Sequence, residues 1–110
     1  MEDLTLYREI SEASFTAQVI EQARWRGWLC HHCRPAQDRS GRWKTPIQGD
    51  PGFPDVLCLR QDRVVLAELK AMRGKVTPAQ EEWLKQANRA VVESYLWKPS
   101  DILTIEEILK

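Results

Sequence analysis

Apolar and polar positions alternate along this chain with two clearly different periods. After a weakly patterned arm over residues 1–10, in which Leu4, Leu6 and Tyr7 are the apolar positions, Ser11 stands where a helix N-cap is expected. Phe15, Val19, Ile20 and Ala23 then recur at helical spacing as far as Gly27. Trp28 to His32 reads as a short strand, and residues 33–53, rich in Gly, Pro and Arg, as a long loop. Two β-rich segments, Asp55 to Arg60 and Arg63 to Lys70, are separated only by Gln61-Asp62 and read as a hairpin, although Gln-Asp is a poorer two-residue turn than Asn-Gly. Thr77-Pro78-Ala79-Gln80 announces the next helix by its cap, its N1 proline and its capping-box glutamine. That helix runs through Trp83, Leu84 and Ala87 toward Ala90; Val91 to Trp97 is the last strand, and Pro99-Ser100-Asp101 opens a terminal helix through Ile102, Ile105, Ile108 and Leu109. The predicted order is α-β-β-β-α-β-α, a small mixed-sheet α/β domain over residues 11–110 behind the arm.

Composition narrows the function classes. At 110 residues there is room for one domain, and 43% hydrophobic with 29% charged residues is a globular balance that excludes a disordered or collagen-like chain. Sixteen Lys and Arg offset sixteen Asp and Glu, so a polyanion would have to be met by a local patch rather than by bulk charge. Residues 34–44 supply such a patch, with Arg34, Arg39, Arg42 and Lys44 against Asp38 and with Trp43 among them. The bland alternative is a solvated loop. The start, Met-Glu-Asp-Leu-Thr, has no basic leader and no apolar run approaches the ~20 residues of a membrane span, which predicts a cytoplasmic protein with no membrane partner.

Three cysteines, Cys30, Cys33 and Cys58, argue against a secreted disulfide framework. Cys30-His31-His32-Cys33 invites a zinc-stabilised interaction domain as an alternative reading, but cysteines three apart on a strand point to opposite faces and no second ligand pair follows. Cys58 lies in an apolar run and is expected in the core.

The chemistry concentrates in Gly52-Phe53-Pro54-Asp55 and Glu68-Leu69-Lys70. If Arg60 pairs with Arg63 across the turn, Leu57 faces Leu66 and Asp55 faces Glu68, with Lys70 two residues further on the same face. Two carboxylates about 5 Å apart repel by about 3 kcal/mol at an effective dielectric near 20, so the pair needs a compensating ion or a salt bridge. Oxygen donors without thiolate or imidazole suit Mg2+ or Mn2+, and a lysine beside them suits hydrolysis of a phosphodiester. The competing reading is an exposed Glu-Lys pair at a strand end with Asp55 an edge charge.

These residues resemble a family. Gly52-Phe53-Pro54-Asp55, Ala67-Glu68-Leu69-Lys70 and Thr77-Pro78-Ala79-Gln80 followed by Trp83-Leu84 resemble the PD-(D/E)xK nucleases, in particular their VRR-NUC branch, and the resemblance runs from about Ser11 through Gly27-Trp28 and Trp97-Lys98-Pro99-Ser100-Asp101 to the end. It implies a restriction-endonuclease-like mixed sheet flanked by helices, and a metal-dependent DNA endonuclease acting as a homodimer on branched DNA in the manner of Holliday-junction resolvases. By the same resemblance Asp55, Glu68 and the Leu69 carbonyl bind Mg2+ or Mn2+, Lys70 acts on the attacking water, and Gln80 is a motif residue, although it also serves a capping box. The family carries an acid on its first helix; Glu12 is chosen here because it shares a face with Val19, whereas Glu21 lies about 200° from Val19. Arg73 and Lys75 join the 34–44 patch as DNA-binding candidates. Alternatives are a homing- or restriction-type nuclease on duplex DNA and a DNA-binding module with a degenerate site.

Overall fold

A computed structural model describes residues 4–32, 36–37, 39–44 and 49–110. The elements are α1 (Thr5–Arg8), α2 (Glu12–Trp25), β1 (Leu29–His32), β2 (Ala36–Gln37), β3 (Trp43–Lys44), β4 (Val56–Arg60), β5 (Arg63–Leu69), α3 (Pro78–Arg89), β6 (Glu93–Trp97), a 3-10 turn (Pro99–Asp101) and α4 (Ile102–Leu109). A four-stranded mixed sheet has the order β1-β4-β5-β6, antiparallel except between β5 and β6. The parallel pair follows from α3, which carries the chain back across the sheet between them. No helix among the described residues is long and apolar enough to cross a membrane.

The core lies on one face of this sheet. Phe15, Val19 and Ala23 of α2 and Ile105 and Leu109 of α4 meet Val56, Cys58, Val65, Ala67, Leu69 and Trp97. The strands alternate, so Leu57, Leu59, Val64, Leu66 and Glu68 point to the other face. There Ser94, opposite Leu66, donates a 3.0 Å hydrogen bond from its hydroxyl to the Leu84 carbonyl of α3. At the sheet end remote from Asp55, Trp28 donates its indole N–H to the Leu109 carbonyl at 2.9 Å. The Arg60 guanidinium lies 4.4 Å and that of Arg63 5.0 Å from the Trp28 ring centre. Arg63 is also bidentate to Glu93, at 2.7 and 2.8 Å.

The structure redraws three predicted boundaries. The arm contains the single turn α1, and Ile10 packs against the core. The 33–53 loop contains the two-residue ladder β2–β3, too short to carry a strand pattern in sequence. The last strand begins at Glu93 rather than Val91, because Val91 completes the end of α3 with φ +61°.

The same helix ending occurs twice. After α2, Gly27 N donates to Arg24 O and Trp28 N to Ala23 O; after α3, Val91 N donates to Asn88 O and Val92 N to Ala87 O. Gly27 suits the left-handed position and a β-branched valine does not. Val91 is 92% exposed and so contributes little packing there. Val91→Gly is therefore expected to stabilise the protein by about 1 kcal/mol, read as a higher urea midpoint with an unchanged slope. A lower midpoint would contradict this account of the α3 terminus.

Candidate active site

The observed hairpin register is the one the two-residue turn predicts: Arg60 opposite Arg63, Leu57 opposite Leu66 and Val56 opposite Ala67. Gln61 takes φ +54° to make that turn. One step beyond Val56–Ala67, Asp55 and Glu68 face each other at the mouth of the β4–β5 pair. Backbone pairing ends here, and the Asp55 carboxylate takes its place, accepting the Leu69 N–H at 3.0 Å through Oδ2. On its other side the chain stays in the sheet, since Lys70 N donates to Trp97 O at 3.0 Å.

Glu68 is the unusual group. It is only 1% exposed, and among the described residues neither carboxylate oxygen has a hydrogen-bond partner. Lys70 Nζ stands 3.4 Å from Oε1, which is ion-pair distance without hydrogen-bond geometry. An unsatisfied buried carboxylate is costly, and the structure answers by favouring its protonated form. Burial, then the neighbouring Asp55 charge, push the Glu68 carboxyl up to about 8 against the opposing pull of Lys70.

Five contacts place these groups. Gly52, at φ +98°, runs against the first turn of α3 so closely that a Cβ there would meet Ala79 C at 2.6 Å and Gln80 N at 2.8 Å. Phe53 packs edge-on against Trp83 with ring centres 5.1 Å apart, and Trp83 Nε1 donates to the Pro51 carbonyl at 3.0 Å. The segment leading into Asp55 is thus clamped to α3, and Pro54 is buried. Behind Lys70, Gly74 closes a tight turn onto Ala71 O, and a Cβ on it would come within 3.1 Å of Lys70 Cβ. Lys98 holds the same turn by donating from Nζ to Met72 O at 3.1 Å.

The remaining candidates are distributed as follows. Gln80 closes the capping box: its Oε1 accepts from Thr77 N at 2.9 Å, and Thr77 Oγ1 accepts from Gln80 N at 3.2 Å. Glu12 is exposed in the first turn of α2 and is not among the charges acting on Glu68. Among the described residues no third His, Cys, Asp or Glu joins the pair. Arg73 and Lys75 are exposed on the turn that follows Lys70, and Arg39 and Arg42 are exposed between β2 and β3. Arg34 and the side chains of Trp43 and Lys44 lie outside the described residues, as does Cys33.

The residues present fit a hard divalent cation. Two facing carboxylates, one of them buried and with no hydrogen bond to either oxygen among the described residues, suit Mg2+ or Mn2+, because these ions are commonly held by one or two carboxylates. Sequence reasoning located Asp55, Glu68 and Lys70; it missed Gly52, Phe53 and Trp83 as the clamp. The signal was available in part, since a glycine before an aromatic and a buried proline marks a close backbone approach. No family model, curated protein or solved structure matches the chain.

Proposed function

We propose that this protein is a metal-dependent DNA endonuclease of PD-(D/E)xK type whose site is Asp55, Glu68 and Lys70. The observation that carries this reading is the buried Glu68 carboxylate, which faces Asp55, has no hydrogen bond among the described residues and lies 3.4 Å from the Lys70 ammonium. A structural ion pair has no need of a second acid facing it, and a core position has no need of either.

Asp55 and Glu68, with the Leu69 carbonyl, would hold Mg2+ or Mn2+, which supplies charge neutralisation and polarisation of the scissile phosphate. Lys70 is fixed by the Gly74 turn and by its place beside Glu68, where its ammonium orients the attacking water and offsets negative charge developing on the phosphoryl oxygens. Asp55 does a second job, holding the end of β5 through Leu69 N. Arg73 and Lys75 lie within five residues of Lys70 and would meet the phosphates flanking the cut, with Arg39 and Arg42 as further contacts. A homodimer would present one site to each strand.

The test is cleavage of a panel of four-way junction, flap, nicked, single-stranded and plain duplex DNA with Mn2+ or with EDTA. Metal-dependent hydrolysis of at least one substrate is expected, with no products in EDTA. Binding of these DNAs without cleavage of any of them would favour a binding module of the same fold.

A further inference from the structure

On the sheet face opposite the carboxylates, Cys30 of β1 and Cys58 of β4 are register partners, and their Sγ atoms lie 3.4 Å apart. They differ in access. Cys58 is buried, whereas Cys30 is half-buried and lines an open cleft of about 590 Å³ between α2 and β1, with Ile20, Arg24 and His32 on its walls. Burial and the hydrogen bond to Cys30 push the Cys58 thiol up, so Cys30 is the sulfur that meets a reagent entering from solvent. We propose that Cys30 and Cys58 are an oxidation site for hydrogen peroxide, closing to a cross-strand disulfide that staples the edge strand β1 to β4.

The chemistry balances with peroxide as the only co-reactant. The Cys30 thiol attacks one peroxide oxygen, the O–O bond breaks, and a sulfenic acid and one water result. The Cys58 sulfur then attacks Cys30 Sγ, displacing the hydroxyl as a second water. Two thiols lose two electrons and two protons, and one peroxide is reduced to two waters. A bond length near 2.05 Å lies about 1.4 Å inside the present separation, a closure within reach of side-chain rotation because the two residues already face each other across the ladder. The bond would close the chain between residues 30 and 58 into a covalent loop, which stabilises the folded protein chiefly by restricting the unfolded chain. It involves the face away from Asp55 and Glu68, so it stands independently of the proposed nuclease site.

The full-length protein, treated with hydrogen peroxide under native conditions and then blocked with N-ethylmaleimide, would be digested without reductant and mapped by mass spectrometry. The expected product is a Cys30–Cys58 linked peptide pair in a monomer lighter by two hydrogens, reversible by dithiothreitol. Cys33→Ser should form it equally, and Cys30→Ala should not. A Cys30–Cys33 link, an intermolecular dimer, or sulfinic acid on Cys30 with Cys58 still free would each overturn the proposal. Because the wild-type map decides the outcome, a Cys58 variant that fails to fold does not affect the test.

Discussion

Glu68→Gln is expected to melt higher than the wild type at pH 8 in EDTA while losing metal-dependent DNA cleavage by about 10³-fold or more. The two effects have one cause. Glu68 is buried, faces Asp55 and has a folded-state pKa pushed up to about 8, whereas the same carboxyl in the unfolded chain titrates near 4.5. Between those values the folded protein keeps a proton that the unfolded chain has released. Stability is therefore greatest at the acidic end of this window and falls as pH rises through it, by about 1.4 kcal/mol per pH unit from this group, before levelling above pH 8. Glutamine has the same shape and no charge, so the variant should lack this slope. The two proteins should be similar near pH 5 and diverge toward pH 8. Glu93, held low by its hydrogen bonds with Arg63, and Tyr95, raised by burial, titrate outside this window. Addition of Mn2+ should raise the wild-type melting temperature at pH 8 and leave Glu68→Gln unmoved, since the ion takes the place of the proton. A wild-type melting temperature that is flat from pH 5 to 8 in EDTA and indifferent to Mn2+ would remove the physical basis of the site.

Gly52→Ala should be among the most damaging single substitutions in the chain. The added methyl would sit 2.6 Å from Ala79 C, 2.7 Å from Ala79 O and 2.8 Å from Gln80 N, all backbone atoms of the α3 first turn that cannot swing aside. The residue would also have to hold φ +98°. Strain and displacement together should cost at least about 3 kcal/mol in urea unfolding. Either the 50–54 segment lifts from α3 or the helix start shifts, and both move Asp55 away from Glu68. Cleavage should therefore fall even at low temperature, where the variant remains folded. Stability within about 0.5 kcal/mol of wild type would show that this segment is not clamped as described.

Much of this candidate site is legible in the sequence because a two-residue turn leaves a hairpin almost no choice of register. Once Arg60 pairs with Arg63, the positions of Asp55, Glu68 and Lys70 relative to one another follow from strand alternation. The start of α3 was equally plain, since Thr77, Pro78 and Gln80 each act on the first helical turn alone. The rest depends on contacts distant in sequence. The docking of Phe53 and Pro51 on Trp83, which clamps the segment leading into Asp55, is one such contact, because an aromatic residue in a helix does not announce its partner. The Cys30–Cys58 contact needs the β1–β4 pairing, which joins strands separated by a long segment with weak pattern. Val91 in a left-handed conformation runs against local preference; the return of the chain into β6 imposes it. Glu12 shows the reverse limit: its helical phase was right for a shared face with Val19, yet a first-turn position leaves it in solvent.

The central claim is that Lys70, beside the Asp55–Glu68 pair, serves hydrolysis rather than folding. Its most direct test is to compare wild type and Lys70→Ala, purified identically, for Mn2+-dependent cleavage and for binding of the same labelled DNA. Wild type should cut, and Lys70→Ala should cut roughly 10²–10⁴-fold more slowly while binding DNA with little change. Equal cleavage by the two proteins would contradict the account.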